Sequence, residues 1–355
     1  MPDTLDFEEP IAALHREIET LNAQPATDAR DRAIEALQRR IVSVRAELYR
    51  SLTPWQRVQV ARHPNRPGLE FFTQQIFAGF TEIHGDRRYA DDHAIMTGFA
   101  DYKGQPVLLV GHVKGAGGDT KEKIFRNFGY ARPEGYRKAL RAMRLAEKFS
   151  RPILVFVDTP AAYPGIESEE RGVAEAIAVN LREMMLLDTP IIVIVSGEGG
   201  SGGALGIAVG DRVLMQEFAI YSVIPPEGCA AILWRDASKK VEAAEALKIT
   251  APDLLEAGII DAIVPEPVGG AHAQPEEAAR LVDAALAQTL AEVNAMSAEA
   301  RLAARYQKFR QMGRVGVDFV DTSLTRTQRA TEDAPVTRAQ RATGEKKEGR
   351  PDTEG

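Results

Sequence analysis

The sequence is poor in the residues that build disulfide frameworks, zinc ribbons and membrane spans. It contains one cysteine, Cys229, among 355 residues, which excludes an internal disulfide and a zinc site made mainly of cysteines. Nowhere do about 18 apolar residues follow one another, and the acidic N-terminus lacks the apolar core of an export signal. These absences predict a cytoplasmic protein that binds no metal.

Positive charge is also in deficit over the whole chain. The 44 Lys and Arg residues face 51 Asp and Glu residues, which gives a net charge of -7 and argues against a protein that mainly neutralises nucleic-acid phosphates. Residues 121–151 depart from this balance with ten basic against three acidic residues. Two interpretations stay open for them. They form a solvated helix face, or they attract phosphates such as those of coenzyme A or, less readily, RNA, with Lys114 as a neighbour.

The first feature that the sequence does contain is a pair of amphipathic helices. Apolar residues recur at spacings of three and four over 11–21 and again over 34–48. The segment between them contains Pro25, so we predict a helical hairpin. Its apolar seam covers either the protein's own core or a partner.

From Pro106 onward the pattern is that of an α/β protein, because short apolar runs end in glycine or proline turns and alternate with longer helical stretches. The predicted strands span residues 107–111, 153–158, 191–196, 213–215 with 219–223, and 260–264. The predicted helices between them span 135–149, 168–187, 202–209 and 252–257.

The end of the chain changes character twice. Residues 278–310 are rich in Ala, Leu and Glu without Gly or Pro, which predicts one or two long helices over the sheet. Beyond them, a Thr-Arg-x-Gln-Arg-Ala-Thr segment occurs at 325–331 and again at 337–343 in a polar tail, which predicts disorder. We therefore divide the chain into an N-terminal hairpin (1–55), a main domain (56–312) and a disordered tail (313–355).

The most informative turn follows the predicted strand at 191–196 and reads Gly197-Glu-Gly-Gly-Ser-Gly-Gly203. Its glycines allow a sharp bend into a helix N-terminus, whose free N–H groups attract an anion or a developing oxyanion. The turn also matches a dinucleotide-binding pattern, with Glu217 about 20 residues on, but that fingerprint normally follows a first strand. A serine hydrolase is a further alternative, with Ser201 as nucleophile and His272 as the only later histidine. The last alternative is structural, in which the glycines serve only to permit close packing of the helix on the sheet.

A second rigid turn follows the strand at 153–158 and reads Asp158-Thr-Pro-Ala-Ala-Tyr-Pro-Gly165. Loops at the carboxyl ends of strands are where α/β proteins bind ligands. The backbone N–H groups of Gly165 and Ile166 are expected to point out of this turn unpaired unless a ligand accepts them.

Together these segments form part of an ordered series of motifs. The series is Gly111-His-Val-Lys-Gly115, Thr120-Lys-Glu-Lys123, Arg126-Asn-Phe-Gly129, Pro133-Glu-Gly-Tyr-Arg-Lys-Ala-Leu140, the 158–165 turn, Gly197-Glu-Gly-Gly-Ser-Gly-Gly-Ala204 and Pro226-Glu-Gly228. In order and spacing it resembles the carboxyltransferase alpha subunits of bacterial multi-subunit acetyl-CoA carboxylases. The resemblance extends from Leu5-Asp-Phe7 through Ala61-Arg-His-Pro64 to Pro265-Glu-Pro-Val-Gly-Gly-Ala-His272, nearly everything before the tail.

The resemblance implies a crotonase-like (ClpP/crotonase) α/β fold, a spiral of β-β-α units with an N-terminal helical hairpin and C-terminal helices. It implies transfer of a carboxyl group from carboxybiotin to acetyl-CoA, which gives malonyl-CoA for fatty-acid synthesis. The runner-up is a subunit of another biotin-dependent acyl-CoA carboxylase or a decarboxylase.

The family also implies partners, without which the chain is inactive. These are a beta subunit that bears the zinc ribbon, in an assembly of two alpha and two beta chains, and a biotin carboxylase within an ATP-binding complex. The single cysteine agrees with alpha rather than beta. Because no Met-Lys-Met biotinylation site occurs, biotin is expected on a separate carrier protein.

By resemblance, catalysis depends on backbone N–H groups that stabilise two oxyanions, where removal of one donor costs about 3 kcal/mol. The biotin oxygen falls to Gly165 and Ile166, and Gly202 and Gly203 form the matching pair at a helix end. The expected substrate-binding residues are Lys114, Lys121, Lys123, Arg126, Tyr163, Glu227 and Gly228.

Three features depart from the family pattern. Ala161 replaces the usual glycine, which is costly if the position needs a positive φ. Pro225 replaces the usual serine. The Ala116-Gly-Gly118 insertion has no assigned function.

Overall fold

The computed structural model describes residues 4–115, 117 and 119–313. Two antiparallel helices begin this part, α1 (Glu9–Asn22) and α2 (Asp28–Arg50). The side chain of Thr27 accepts the Arg30 N–H and caps α2. Buried Ile11, Leu14 and Ile41 form the seam between the helices. The predicted helical hairpin is therefore present.

The centre of the fold is a sheet whose strands are β1 (Ala78–Glu82), β2 (Ile95–Tyr102), β3 (Gln105–His112), β4 (Ile153–Thr159), β5 (Ile191–Gly200), β6 (Arg212–Gln216), β7 (Ile220–Ser222) and β8 (Ala262–Val264). Within the described residues these eight strands form one mixed sheet in the order β1-β2-β3-β4-β5-β6-β8, with β7 paired to β5. The strands β1 to β3 are antiparallel, and the later pairings are parallel.

Helices cover both faces of this sheet. They are α3 (Pro54–Ala61), α4 (Leu69–Ile76), α5 (Thr120–Phe125), α6 (Pro133–Lys148), α7 (Ile166–Glu170), α8 (Val173–Met184), α9 (Ser201–Leu205), α10 (Pro226–Trp234), α11 (Lys240–Ala246), α12 (Ala251–Glu256), α13 (Pro275–Asn294) and α14 (Ala298–Gln311). One core joins the sheet to α6 and α8, and the other joins it to α4 and α13. Strands β4 and β5, buried on both faces, are continuous apolar runs for this reason.

The structure confirms the predicted α/β class and the strands from β3 onward, but it corrects three details. Strands β1 and β2 precede Pro106, where the sequence pattern gave no strand. The helix predicted over 168–187 is interrupted at Gly172, whose φ is +76°. The helix predicted over 202–209 ends at Leu205.

Two predictions lie outside the described residues. The repeated tail is one of them, and the Ala116-Gly-Gly118 insertion is described only at its central glycine. Among the residues that are described, no helix combines the length and apolar character needed to cross a bilayer.

Candidate active site

A cleft of about 960 Å³ opens at the carboxyl ends of β3, β4 and β5. Its wall includes Lys114 after β3, Asp158 and Ala161 at the end of β4, and Glu198 within β5. The segment between α3 and α4, the region of Lys123, Phe128 and Tyr130, and the start of α10 also contribute. Side chains from distant parts of the sequence meet here because parallel strands end at the same edge of a sheet.

An ion-pair network crosses this cleft. Lys114 Nζ lies 2.6 Å from Asp158 Oδ1 and 2.7 Å from Glu198 Oε2. Arg62 lies between the second carboxylate and Glu227, at 2.6 Å from an oxygen of each. Cations and carboxylates therefore alternate along the wall, and each member contacts a charge of opposite sign.

The burial of this network makes its charges interdependent. Burial alone would lower the pKa of Lys114, but the Asp158 and Glu198 carboxylates raise it above its ordinary value. Burial alone would raise the pKa of Glu198, but Lys114 and Arg62 lower it to about 2. At neutral pH Lys114 and Glu198 are thus both charged, and neither is a general base or acid with a pKa near 7.

The turn after β4 is fixed by hydrogen bonds to the neighbouring 126–131 loop. The Thr159 hydroxyl lies 2.7 Å from the Gly129 carbonyl oxygen, and the Tyr163 N–H donates to the carbonyl of Ala131 at 2.9 Å. Ala161 has no positive φ, so alanine in place of the family's glycine brings no backbone strain here.

Gly165 and Ile166 lie at the far end of the same turn, at the start of α7. Within the described part of the chain, neither backbone N–H donates a hydrogen bond. The Ile166 side chain is 77% exposed. A Cβ on Gly165 would lie 2.4 Å from the ring of Tyr163, which explains the glycine by packing rather than by φ. The turn thus presents two unpaired donors, as predicted from its sequence.

The turn after β5 is pressed against the turn after β4. A Cβ on Gly200 would lie 1.8 Å from the Pro160 carbonyl oxygen, and one on Gly203 would lie 2.3 Å from the Ala162 nitrogen. Gly202 differs, since a Cβ there would meet only a side-chain methyl at 3.7 Å. Among the described residues, no hydrogen bond uses the N–H of Gly202 or Gly203. Packing therefore explains most of this glycine motif, while its helix end keeps free donors.

The alternatives that the motif allowed find no support in the geometry. Ser201 has a φ of +48°, as a sharp strand-to-helix bend requires, but its proposed partner lies elsewhere. His272 stacks on His63 at 3.8 Å between ring centroids and lines a cavity beside α1. For the dinucleotide alternative, the glycine motif follows a central strand rather than the first.

The expected substrate-binding residues fall into three groups. Lys114, Lys123 and Glu227 line the cleft. The Tyr163 ring packs on Gly165, and the guanidinium carbon of Arg132 lies 4.9 Å from the centroid of that ring. The others, Lys121, Arg126 and Gly228, lie outside the lining.

Arg126 has a structural explanation of its own. It donates to Glu70 at 2.8 Å, to Glu122 at 2.7 Å and to the His93 carbonyl at 3.2 Å. Lys121 is exposed, and among the described residues neither its amine nor that of Lys123 makes an ion pair. Both lysines are therefore available to attract a phosphate.

Sequence reasoning did not single out Arg62, Asp158 and Glu198 as functional residues. A signal for the last two exists, because each is a lone carboxylate within an apolar or glycine-rich stretch that is otherwise uncharged. Arg62 gives no such signal, since α3 is a short amphipathic helix with several polar residues. Its role follows only from the contact between α3 and β5.

Comparisons with known proteins agree with this architecture. A family model described as acetyl co-enzyme A carboxylase carboxyltransferase-like matches residues 4–313. Among solved structures, transcarboxylase 12S aligns with a TM-score of 0.51 at 18% identity over 65% of this chain and 44% of that one. A subunit of the Pseudomonas malonate decarboxylase hetero-tetramer aligns with a TM-score of 0.50 at 17% identity over 73% and 93%. The predicted crotonase-like fold is thereby confirmed.

Curated relatives are far more similar in sequence. The acetyl-coenzyme A carboxylase carboxyl transferase subunit alpha of Geobacter metallireducens is 55% identical over 312 residues, which cover 87% of this chain and 97% of that protein. The same subunit of Geobacter sulfurreducens is 58% identical over 276 residues, which cover 78% and 86%. The chain therefore belongs to the family of acetyl-coenzyme A carboxylase carboxyl transferase alpha subunits.

Proposed function

We propose that this chain forms the carboxybiotin-binding part of a carboxyltransferase that carboxylates acetyl-CoA to malonyl-CoA for fatty-acid synthesis. The observation that carries the proposal is the turn after β4, which combines two unpaired backbone donors with a place beside the cleft in a chain of this family. Such donors stabilise an oxyanion without any change of protonation.

The turn after β4 suits biotin, although Gly165 and Ile166 themselves lie outside the residues that line the cleft. Its ureido ring is neutral and flat with one carbonyl oxygen, and the N–H groups of Gly165 and Ile166 supply two unpaired donors for that oxygen. The cleft volume of about 960 Å³ lies within the range of ~300–1,000 Å³ typical of small-molecule sites. When bound, carboxybiotin supplies the carboxyl group and, after losing it, a base for the acetyl-CoA methyl proton.

The chain's own residues then have separate tasks. Gly165 and Ile166 hold the biotin oxygen, while Gly202 and Gly203 offer the second pair of donors at the start of α9. Lys114, Asp158 and Glu198 position the ends of β3, β4 and β5 relative to one another. Lys121 and Lys123 are expected to attract the coenzyme A phosphates, and Tyr163, Glu227 and Gly228 stay predictions as substrate contacts.

The proposal extends to partners. A zinc-ribbon beta subunit would complete the site in a two-alpha two-beta assembly, and a separate carrier protein would deliver biotin carboxylated by a biotin carboxylase. The single cysteine supports action in the cytoplasm.

The decisive experiment measures carboxyl transfer between malonyl-CoA and biocytin, by this chain alone and mixed with a beta subunit from the same cell. Activity only in the mixture is the expected result. Activity of the chain alone would contradict the shared site, and inactivity of both would remove the proposed reaction. Acceptance of a longer acyl-CoA instead of acetyl-CoA would favour the alternative of a different acyl-CoA carboxylase, and release of CO2 without biocytin would favour a decarboxylase.

A further inference from the structure

Three consecutive residues at the rim of the cleft adopt left-handed backbone conformations. Asn127, Phe128 and Gly129 have φ angles of +48°, +53° and +80°. Asparagine and glycine tolerate this region, but a bulky aromatic residue rarely occupies it. Strain of this kind concentrates at ligand sites, where the surrounding structure fixes it. Of the three residues, Phe128 therefore has the least expected backbone conformation.

The neighbouring residues fix this segment on both sides. Arg126, directly before it, is anchored to Glu70 at 2.8 Å. The Asn127 side chain donates to the Tyr130 carbonyl at 2.8 Å, and the Gly129 N–H donates to the Arg126 carbonyl at 3.0 Å. These bonds close a tight left-handed turn. The aromatic side chain at its centre is consequently held in one direction.

The same segment is joined to the turn after β4. The Thr159 hydroxyl lies 2.7 Å from the Gly129 carbonyl oxygen and 2.8 Å from that of Ala161. A Cβ on Gly129 would lie 2.8 Å from Cγ of Lys114, so the backbone at Gly129 packs on Lys114 without room for a side chain. The segment is therefore fixed to the start of the 158–165 turn, whose Pro160 and Ala161 line the same cleft as Phe128.

The Phe128 side chain meets the cleft although nothing in its own segment covers it. It is 46% exposed and lines the cleft. Phe125, three residues earlier, is 52% exposed, but it lies outside the lining and stacks on His93 at 4.0 Å. Two phenylalanines of similar exposure therefore differ in that only Phe128 faces the site.

We propose that Phe128 is a specificity-determining residue whose ring packs against the bicyclic ring of biotin while the 158–165 turn holds its ureido oxygen. The inference rests on the proposed function. Biotin is favoured over the acyl-CoA because Thr159 joins this segment to the turn that carries the free donors, and Pro160 and Ala161 of that turn line the cleft together with Phe128. Lys123 lines the same cleft, so the KM for malonyl-CoA is the measurement that separates the two substrates. An aromatic face offers apolar contact to the ring and leaves its polar edge to the backbone donors.

The test compares Phe128→Ala, Phe128→Leu and the control Phe125→Ala in the reconstituted complex. Loss of an aromatic contact is expected to raise KM for biocytin roughly five- to tenfold in Phe128→Ala and less in Phe128→Leu, with KM for malonyl-CoA unchanged. Phe125→Ala is expected to leave both KM values unchanged. Calorimetric titration of biocytin into each complex gives a second readout, the dissociation constant for biocytin, which should rise by the same factor as KM.

A fourth variant separates contact from strain. Phe128→Gly removes the left-handed conformational penalty together with the ring, so its melting temperature should exceed that of Phe128→Ala while biocytin binding stays weak. An unchanged biocytin affinity in Phe128→Ala would overturn the inference. So would an equal loss in Phe125→Ala, a raised KM for malonyl-CoA, or dissociation of the beta subunit. An inactive wild-type complex would instead contradict the proposed reaction itself.

Discussion

The turns after β4 and β5 lie backbone against backbone at the same edge of the sheet, yet they are stabilised in different ways. The β4 turn contains two prolines and is fixed by the Thr159 hydroxyl and the packing of Tyr163 over Gly165. The β5 turn depends on absent side chains, since a Cβ on Gly197 would overlap Asp158 and a Cβ on Gly200 or Gly203 would overlap the β4 turn. The glycine-rich motif therefore serves chiefly to let the two turns pack closely, and the free N–H groups of Gly202 and Gly203 lie at its end.

This difference predicts which glycine the fold cannot lose. Gly200→Ala places a Cβ 1.8 Å from a carbonyl oxygen, and Gly203→Ala places one 2.3 Å from a backbone nitrogen. Because backbone atoms cannot move aside as a side chain does, we expect each change to lower the free energy of unfolding by about 3 kcal/mol. Urea denaturation of the purified chain measures it.

Gly202→Ala is the matched control for these two variants. The same methyl group there meets nothing closer than 3.7 Å, and alanine favours a helix over glycine by up to ~1 kcal/mol. Its urea midpoint should equal or slightly exceed that of the wild type. Equal destabilisation at all three positions would mean that the two turns are not packed as described.

The second prediction removes the cation that both turns share. Lys114→Met leaves Asp158 without its cation, beside the Glu198 carboxylate. Removing one partner of a largely buried pair should destabilise the chain by about 3 kcal/mol at pH 7. Lys103→Met is the control, because the Lys103–Asp283 pair is about half exposed and contributes little. A similar loss in both variants would show that the cleft network is no more than a surface feature.

The loss of stability caused by Lys114→Met should depend on pH, in a direction that the charges of the network fix. In the wild type, the pKa of Glu198 falls from its ordinary 4.5 to about 2, so its stabilisation is present above pH 4.5 and is lost as the pH falls toward 2. In the variant, two neighbouring carboxylates repel, which raises the pKa of one of them, and protonation then relieves the repulsion. The stability difference between variant and wild type should therefore shrink as the pH falls from 7 toward 4.5, where Glu198 of the wild type is still ionised. A constant difference would argue against the shared-cation geometry.

The third prediction uses the open space in front of Gly202 to separate chemistry from folding. Gly202→Val puts a bulky group beside the free N–H groups of α9, at a position where the Cβ meets only a side-chain methyl at 3.7 Å. If these groups hold a developing oxyanion, kcat for carboxyl transfer should fall about a hundredfold, the range found for one oxyanion donor. The unfolding midpoint should move far less than that of Gly203→Ala. Full activity in the complex would leave α9 with a purely structural role.

The same contrast explains how much the sequence could predict. Strands β4 and β5 are long apolar runs because both faces are covered, so pattern alone finds them, and their turns follow from glycine and proline. Strand β2 was missed since it contains Gly98 and takes its form from antiparallel pairing with β3.

The ion-pair network was beyond sequence reasoning for a related reason. It joins Arg62, Lys114, Asp158, Glu198 and Glu227, which come from separate elements and meet only in the folded chain. Single charged residues carry no information about which opposite charge they will face. The free donors of Gly165 and Ile166 were predictable because they depend on local turn geometry alone.

The smallest predicted effect concerns a third turn at the same cleft, which departs from the family pattern. Pro225 is the N-cap of α10 and lines the cleft, but proline has no side-chain oxygen to accept a helix N–H. Its φ of -65° and ψ of 146° suit serine equally well. Pro225→Ser should therefore add a cap hydrogen bond.

The expected gain is about 0.5–1 kcal/mol, because the added cap is partly offset by the greater freedom of the unfolded chain without proline. Urea denaturation measures it, and Pro225→Ala is the control that removes the ring without adding a cap. Serine should exceed alanine by about 1 kcal/mol. If the two variants are equally stable, this turn is rigid through its proline ring, as the β4 turn is, and side-chain capping is not a third way of stabilising the cleft edge.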